Sequence, residues 1–307
     1  MAALHLGKTN SQVLLYLCVA AAIASVVSTS AATTTKTDKE RLGLNGPVQT
    51  MIEESGTQGE GDGWLNLETT LYDRIGNVIE TEQTMGRKSS PEKSKTIYER
   101  SADGKSITRK TFGQDGSLLV KGLSLYDEKG NRIEDRNYDK EGSLLFKLLH
   151  VYDVDGNSVE SKSYLRDGSL KSKSVSVYDG NGNMTSSSFT KCTSQQDCIL
   201  EYKSMNTYDT KGILTEAMIY KADGELDHRS LYIHNAKGQQ QQKTDYNADG
   251  SIREKESYYN EYDSVGNWIK RVTTKAVSKE GKLILEPLSI IKRNITYYGS
   301  PQIGVGK

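Results

Sequence analysis

Apolar and hydroxyl-bearing residues fall into segments of about 8 to 10 residues, separated by turn residues roughly every thirteen positions. The segments contain Val, Ile, Leu, Tyr, Ser and Thr and almost no Pro, a composition typical of strands, and none has the apolar stripe of an amphipathic helix. Glycines that mark the turns alternate in spacing between 12 and 14 residues: Gly104, Gly116, Gly130, Gly142, Gly156, Gly168 and Gly182. The pattern predicts hairpins in a tandem repeat with a period of 26.

Two turn motifs alternate within each period. A Tyr-Asp-x-x-Gly-Asn box occupies Tyr126–Asn131, Tyr152–Asn157 and Tyr178–Asn183, and a Gly-Ser-Leu box begins at Gly116, Gly142 and Gly168. In the first box, the Asp side chain can accept a backbone hydrogen bond two residues on, and the Gly can adopt the left-handed conformation of a bulged hairpin loop. Both boxes therefore indicate chain reversals between antiparallel strands.

The predicted fold class is all-β: a long, twisted antiparallel meander of about eight hairpin units over residues 64–285, open at both edges and spiral or solenoid-like. The two turn types would lie along opposite edges of the sheet. Successive units would stack Tyr126, Tyr152 and Tyr178 in one column and Tyr138 and Tyr164 in another. Packing between repeats is the simpler role for these rings, and rings left exposed would form a binding ladder.

The ends of the chain differ from the repeats. Lys8 precedes an apolar run over residues 13–27 and small residues up to Ala32, which is the layout of a secretory signal over residues 1–32. An uncleaved anchor is the alternative, although the apolar run is short for a membrane span. Residues 33–63 are polar and predict a flexible leader, and residues 286–307 predict a C-terminal cap and tail.

Charge and cysteine content narrow the function classes. The 40 basic and 40 acidic residues are interspersed, so no basic patch indicates nucleic-acid or membrane-surface binding, and no membrane span is predicted after signal cleavage. Cys192 and Cys198 remain after cleavage, six residues apart in an exported chain, and predict a disulfide that closes an enlarged hairpin loop. The scattered histidines do not supply the ligand spacing of a zinc site.

The Tyr-Asp boxes resemble the RHS or YD repeats of bacterial secreted and cell-surface proteins. The matching dipeptides, each followed by the turn glycine, are Tyr72-Asp73, Tyr126-Asp127, Tyr152-Asp153, Tyr178-Asp179, Tyr208-Asp209 and Tyr262-Asp263. The resemblance implies a spiralling sheet of hairpins in an exported, non-catalytic protein. The chain departs from the family in its longer period and in having only residues 287–307 after the last repeat, so the resemblance leaves toxin delivery in doubt.

Candidate chemistry is weak throughout the repeats. The Asp and Asn oxygens of 153–157 and 179–183 lie in turns and lack the terminal bidentate Glu of a calcium loop. A glycosidase pair can be picked from Glu134, Asp135, Glu160 or Glu216, but repeated acids on a solvated sheet face are the simpler interpretation. We therefore predict no catalytic residue, no metal and no cofactor.

An outer-membrane barrel is the remaining alternative for a signal-bearing antiparallel meander. It requires an apolar face on each strand, and the segment 170–178 carries Ser on one face and Lys with Val on the other. We predict instead a secreted, periplasmic or cell-surface interaction module for an extracellular glycan or a partner protein. A secreted carbohydrate-active enzyme and a toxin-associated shell or neutralising protein stay as alternatives.

Overall fold

The computed structural model describes residues 36–56, 63–193, 197–279 and 282–299. One short helix, α1 (Asp38–Arg41), precedes eighteen strands. The strands are β1 (Val48–Gly56), β2 (Trp64–Tyr72), β3 (Val78–Arg87), β4 (Ser90–Arg100), β5 (Ser106–Gly113), β6 (Leu118–Tyr126), β7 (Arg132–Asp139), β8 (Leu144–Tyr152), β9 (Ser158–Leu165), β10 (Leu170–Tyr178), β11 (Met184–Cys192), β12 (Cys198–Tyr208), β13 (Leu214–Lys221), β14 (Leu226–His234), β15 (Gln240–Asn247), β16 (Ile252–Tyr262), β17 (Trp268–Lys279) and β18 (Lys282–Tyr297). In these ranges no helix is both long enough and apolar enough to span a bilayer.

The sheet closes on itself. Each strand pairs antiparallel with the strands before and after it, and β1 also pairs with β18 through Met51 opposite Ile295 and Glu53 opposite Arg293. The fold is therefore a closed, eighteen-stranded antiparallel barrel. The prediction of an open, spiral or solenoid-like meander is wrong, because the first and last strands satisfy each other's hydrogen bonds and leave no free edge.

The turns lie where the glycine spacing predicted them. Every glycine of the 12 and 14 series has a positive φ, from 69° at Gly104 to 85° at Gly156, and stands in a chain reversal. In the Tyr-Asp boxes, the Asp127 carboxylate accepts hydrogen bonds from the backbone N–H groups of Lys129 and Asn131. This local chemistry predisposes each box to reverse the chain independently of the rest of the molecule.

All turns of one kind collect at one end of the barrel. The Tyr-Asp mouth is formed by the turns that follow even-numbered strands, such as 127–131 and 153–157, and the Gly-Ser-Leu mouth by the turns that follow odd-numbered strands, such as 139–143 and 165–169. Most turns are accompanied by a register shift next to the reversal, as between Leu125 and Tyr126. The extra residue of such a bulge shifts the alternation of side chains between the two faces of the sheet.

The two faces of the wall differ in burial. Thr70, Asp135, Ser204, Ser230 and Thr273 are buried and share one face by strand register, although no second layer of sheet covers them. Side chains on the concave side of a closed cylinder converge and shield one another, whereas those on the convex side diverge. This face is therefore the inner face, and the residues that alternate with it form the outer face.

The buried apolar core is small and lies at the Tyr-Asp mouth. Leu44, Val48, Met51 and Tyr72 form it, with Val78, Ile295 and Tyr297 packed around them. The segment predicted as a flexible leader, residues 33–63, thus contains α1, β1 and three of these core residues. The predicted tail, residues 286–307, contains most of β18, the strand that completes the ring. The predicted signal, residues 1–32, lies outside the described residues.

Candidate functional site

Small hydroxyl side chains line two arcs of the inner face, which elsewhere carries longer side chains such as Arg109, Phe146 and Phe189. A threonine column crosses β2 to β5, and serines line β9 to β12: Thr70, Thr81, Thr96, Thr111, Ser161, Ser174, Ser187 and Ser204. Neighbours bond across strands, with Thr96 Oγ1 3.0 Å from Thr111 Oγ1 and Ser187 Oγ 2.7 Å from Ser204 Oγ. Eighteen strands enclose a ring about 35 Å across if circular, which is wider than the side chains of its wall can fill. The ring therefore encloses a polar lumen.

A charged cluster is set into the lumen wall at β6 to β8. The Asp135 carboxylate accepts a hydrogen bond from Ser124 Oγ at 2.5 Å, lies 3.2 Å from His150 Nε2 and pairs with Arg132 Nε at 3.3 Å. Burial raises the pKa of Asp135, but the hydrogen bond from His150, the charge of Arg132 and the Ser124 hydroxyl outweigh it, and the pKa lies below its ordinary value. The serine hydroxyl is directed at the carboxylate, so the cluster does not have the serine–histidine–aspartate order of a nucleophilic triad.

A second cluster lies on the inner face where the ring closes. Arg293 on β18 donates to Glu53 on β1 at 2.8 Å, and its guanidinium lies 3.4 Å from the ring centroid of Trp268. Arg271 approaches the same ring at 4.6 Å. Burial, with the Glu53 charge beside it, raises the pKa of Glu68. These contacts join the first strand to the last, so the cluster fastens the seam of the barrel.

Tyrosines of the Tyr-Asp boxes point inward and bind backbone. The hydroxyl groups of Tyr152, Tyr178 and Tyr208 donate to the carbonyl oxygens of Arg132, Ser158 and Met184 at 2.9 to 3.1 Å. Each bond joins the end of one strand to the first residue of the strand before it. These rings tie one hairpin to the next at the Tyr-Asp mouth.

The five tyrosines singled out in the sequence lie in two groups on opposite faces of the sheet. Register places Tyr126, Tyr152 and Tyr178 on the inner face and Tyr138 and Tyr164 on the outer face, at opposite mouths. The structure therefore brings the first three together and separates them from the other two. The predicted disulfide is present between Cys192 and Cys198, with Sγ–Sγ 2.06 Å, and closes the loop at the Gly-Ser-Leu mouth.

Residues 36–47, which we name the mouth segment, cross one side of the Tyr-Asp mouth. Asp38 pairs with Arg100 and accepts a hydrogen bond from the Val78 N–H at 2.8 Å. At the other end, the Asn45 N–H donates to Asn267 Oδ1 at 2.7 Å, and Asn267 Nδ2 donates back to the Asn45 carbonyl at 3.0 Å. The segment spans from the β2–β3 turn, where the Lys39 N–H donates to the Gly76 carbonyl at 2.9 Å, to the β16–β17 turn. The sequence carried no repeat signal for it, because the contacts that fix it to the barrel are long-range.

The acids singled out in the sequence are structural. Glu134 and Glu160 lie on the outer face, paired with Arg136 at 2.7 Å and with Lys162 and Lys173 at 2.6 and 2.7 Å. Glu216 also faces outward, 3.6 Å from Arg229, and only Asp135 faces the lumen. The Asp153 oxygens are occupied by the N–H groups of Asp155 and Asn157 and by the Asn157 side-chain amide. Among the described residues, no group of His, Cys, Asp and Glu is arranged to hold a metal ion.

Known proteins resemble this chain in structure and not in sequence. No family model matches it, and no curated protein matches it. Among solved structures, a porin-like protein from Bacteroides uniformis ATCC 8492 is 12% identical, with a TM-score of 0.47 over 82% of this chain and 98% of the other. A porin-like protein from Bacteroides vulgatus ATCC 8482 is 14% identical, with a TM-score of 0.37 over 82% and 99%. The closed ring itself follows from the strand pairing of this chain.

The closed ring corrects the functional prediction as well. The prediction of an interaction module with open sheet edges for a glycan or a protein is wrong, since β1 and β18 pair and close the sheet. The spiral array implied by the RHS or YD resemblance is wrong for the same reason. Membership of that family stays a prediction.

Proposed function

We propose that this chain is an exported, non-enzymatic barrel of the cell envelope whose water-filled lumen admits small hydrophilic solutes. The observation that carries the proposal is the closed eighteen-strand ring, whose inner face carries columns of Thr and Ser. Barrels of this strand number are too wide for side chains to fill and leave an aqueous passage. The porin-like titles of the two structural neighbours agree with an envelope location. Within the envelope, we propose that the barrel lies in the periplasm or on the outer surface of the cell.

The outer face limits how such a barrel meets lipid. Ion pairs lie at mid-height on it, including Lys110 with Glu99 at 2.8 Å and Arg136 with Glu134 at 2.7 Å. A lysine or arginine facing lipid at the bilayer midplane costs about 2 to 4 kcal/mol. We therefore propose that the wall stays in water and that the barrel acts as a vestibule for solutes beside an envelope membrane.

Neighbouring residues on β10 offer a matched test of the lumen. Ser174 faces inward and Val175 outward, and the native cysteines of the mature chain are joined in a disulfide. In a chain that begins at residue 33, Ser174→Cys should react with a small charged thiol reagent and exclude a maleimide carried on a large polymer. Val175→Cys should react with both.

Two results would contradict the proposal. If Ser174→Cys reacts with neither reagent while circular dichroism shows an intact fold, the lumen is closed to water. If the large polymer labels both variants at equal rates, the inner face is not enclosed. The seating is tested separately: the chain alone should give no conductance in a planar bilayer, and stable channels would place the wall in lipid.

A further inference from the structure

The outer face at the Gly-Ser-Leu mouth repeats one arrangement from hairpin to hairpin. Near the end of each odd strand from β5 to β15 except β11, an aromatic ring faces outward: Phe112, Tyr138, Tyr164, Tyr220 and Tyr246. The residue directly opposite each ring on the preceding strand is a cation: Lys95, Lys121, Lys147, Lys203 and Arg229. Lys173 continues the cation series opposite Thr190 on β11. The sequence period alone produces this alignment, with one cation on every second strand.

In two of these pairs the cation lies over the face of the ring. The Lys147 ammonium lies 5.1 Å from the Tyr164 centroid, and the Arg229 guanidinium 4.9 Å from that of Tyr246. On its other side, each ring is paired in the turn bulge with an aliphatic residue: Leu118, Leu144, Leu170, Leu226 and Ile252. We name the aromatic, cationic and aliphatic residues of this rim the collar. Adjacent cations of the collar stand about 10 Å apart, two strand spacings.

The charge of the collar is only partly neutralised by the wall. Lys95 pairs with Glu80 at 2.7 Å, Lys173 with Glu160 at 2.7 Å, and Arg229 lies 3.6 Å from Glu216. Lys121 and Lys203 are exposed. Acids also reach this rim in the turns themselves: Asp115, Asp139, Glu141, Asp167, Asp223, Glu225 and Asp249. The aspartates among them accept hydrogen bonds within their own turns, as Asp115 does from Ser117, and Glu141 lies 3.7 Å from Lys140. Glu225 lies 3.7 Å from Lys221.

We propose that the collar is a docking surface for an anionic lipid bilayer, which seats the Gly-Ser-Leu mouth of the barrel on a membrane. Tyrosine rings favour the headgroup region, where the ring is half desolvated and the hydroxyl stays wet. Lysine and arginine stems lie along apolar surface while their charges reach anionic headgroups. The opposite mouth lacks this arrangement on its outside, because its box tyrosines face the lumen. The inference does not rest on the lumen being open.

Cosedimentation of the chain beginning at residue 33 with vesicles tests the docking surface. We expect binding to phosphatidylcholine vesicles that contain phosphatidylglycerol, weak binding to phosphatidylcholine alone, and a loss of binding as salt rises. Replacing three collar cations, Lys121→Gln, Lys147→Gln and Lys203→Gln, should weaken the binding at least about tenfold.

The matched control removes three cations from mid-height on the same outer face: Lys110→Gln, Arg136→Gln and Lys162→Gln. This variant has the same net charge as the collar variant and should bind within about twofold of the parent. Equal weakening by both variants, or no binding of the parent to anionic vesicles, would overturn the proposal. Binding to a soluble polyphosphate with none to vesicles would also overturn it.

Two tyrosine substitutions test whether vesicle binding depends on the collar or on any tyrosine of the outer face. Tyr246 belongs to the collar, while Tyr259 on the neighbouring strand faces outward toward the other mouth. Tyr246→Ser should weaken vesicle binding, and Tyr259→Ser should leave it unchanged. Reactivity of Ser174→Cys toward the small thiol reagent should be equal in all these variants, so a failed vesicle assay and a closed lumen remain distinguishable.

Discussion

The two mouths of the barrel use the same bulged turn and similar residues in opposite ways. At the Tyr-Asp mouth the rings point inward, the Tyr152 hydroxyl donates to the Arg132 carbonyl, and the mouth segment binds the β2–β3 and β16–β17 turns. At the Gly-Ser-Leu mouth the rings of Tyr138 and Tyr164 point outward beside lysines. The extra residue in each bulge shifts the side-chain alternation along the strand, which sends the aromatic position to different faces at the two ends. The aromatic residues of the Tyr-Asp mouth thereby bind neighbouring strands, whereas those of the Gly-Ser-Leu mouth lie on the outside of the barrel.

The largest difference between the mouths should appear on removing one ring from each. Tyr72 is 1% exposed and packs in the only cluster of buried apolar side chains among the described residues. Tyr72→Ala should lower the free energy of unfolding by about 3 to 5 kcal/mol. Tyr164→Ala, on the outer face, should lower it by about 1 kcal/mol. Urea denaturation of both variants measures this, and equal losses would mean that the mouths are not energetically distinct.

The disulfide should matter only at the Gly-Ser-Leu mouth. Replacing Cys192 and Cys198 together by Ser frees a short loop and should cost about 2 kcal/mol in the chain-entropy model. Hydrogen exchange should quicken at β11 and β12 near the loop and stay unchanged in the Tyr-Asp turn 153–157. Faster exchange around the whole ring would show instead that the loop supports the barrel as a unit.

Removing one hydroxyl group or another at the Tyr-Asp mouth should change the free energy of unfolding in opposite directions. Tyr152→Phe loses the bond to the Arg132 carbonyl and should cost about 1 kcal/mol. The Tyr72 hydroxyl is buried with no hydrogen-bond partner in the described structure, so Tyr72→Phe should raise stability by up to about 1 kcal/mol. Tyr164→Phe keeps its ring under Lys147 and serves as the neutral control. A loss of stability in Tyr72→Phe would contradict the assignment of that hydroxyl.

The smallest loss of stability per residue should come from lowering the pH. The side-chain amides of Asn157 and Asn183 and the backbone N–H groups of the turns lower the pKa values of Asp153 and Asp179. These carboxylates therefore stabilise the fold above their ordinary pKa of about 4, and the contribution is lost as pH falls through the lower folded values. Thermal unfolding should move to lower temperature over that window, and Asp153→Asn should flatten the slope. If the pH dependence of the unfolding temperature is unchanged by this substitution, another carboxylate is responsible for the acid sensitivity, and Asp135 is the next candidate.

The strands and turns could be predicted from the sequence because each depends on residues that are close together along the chain. A box such as Tyr126–Asn131 reverses the chain through its own Asp and Gly, and a segment such as 170–178 is too short and too rich in Ser and Val for a helix. The antiparallel pairing followed from these turns, as did the position of the disulfide. Function did not follow, because each repeat carries the same residues and no position differs enough to indicate a site.

Closure, by contrast, was decided only by tertiary structure. The pairing of Glu53 with Arg293 and of Asn45 with Asn267 joins residues more than 200 positions apart, and no local pattern encodes a contact of that range. Residues 48–56 were predicted as polar leader because a strand whose inner face is polar shows no regular apolar alternation in its sequence. The accumulated twist and tilt of eighteen strands brought the two ends together, and that closure gave every side chain an inside or an outside.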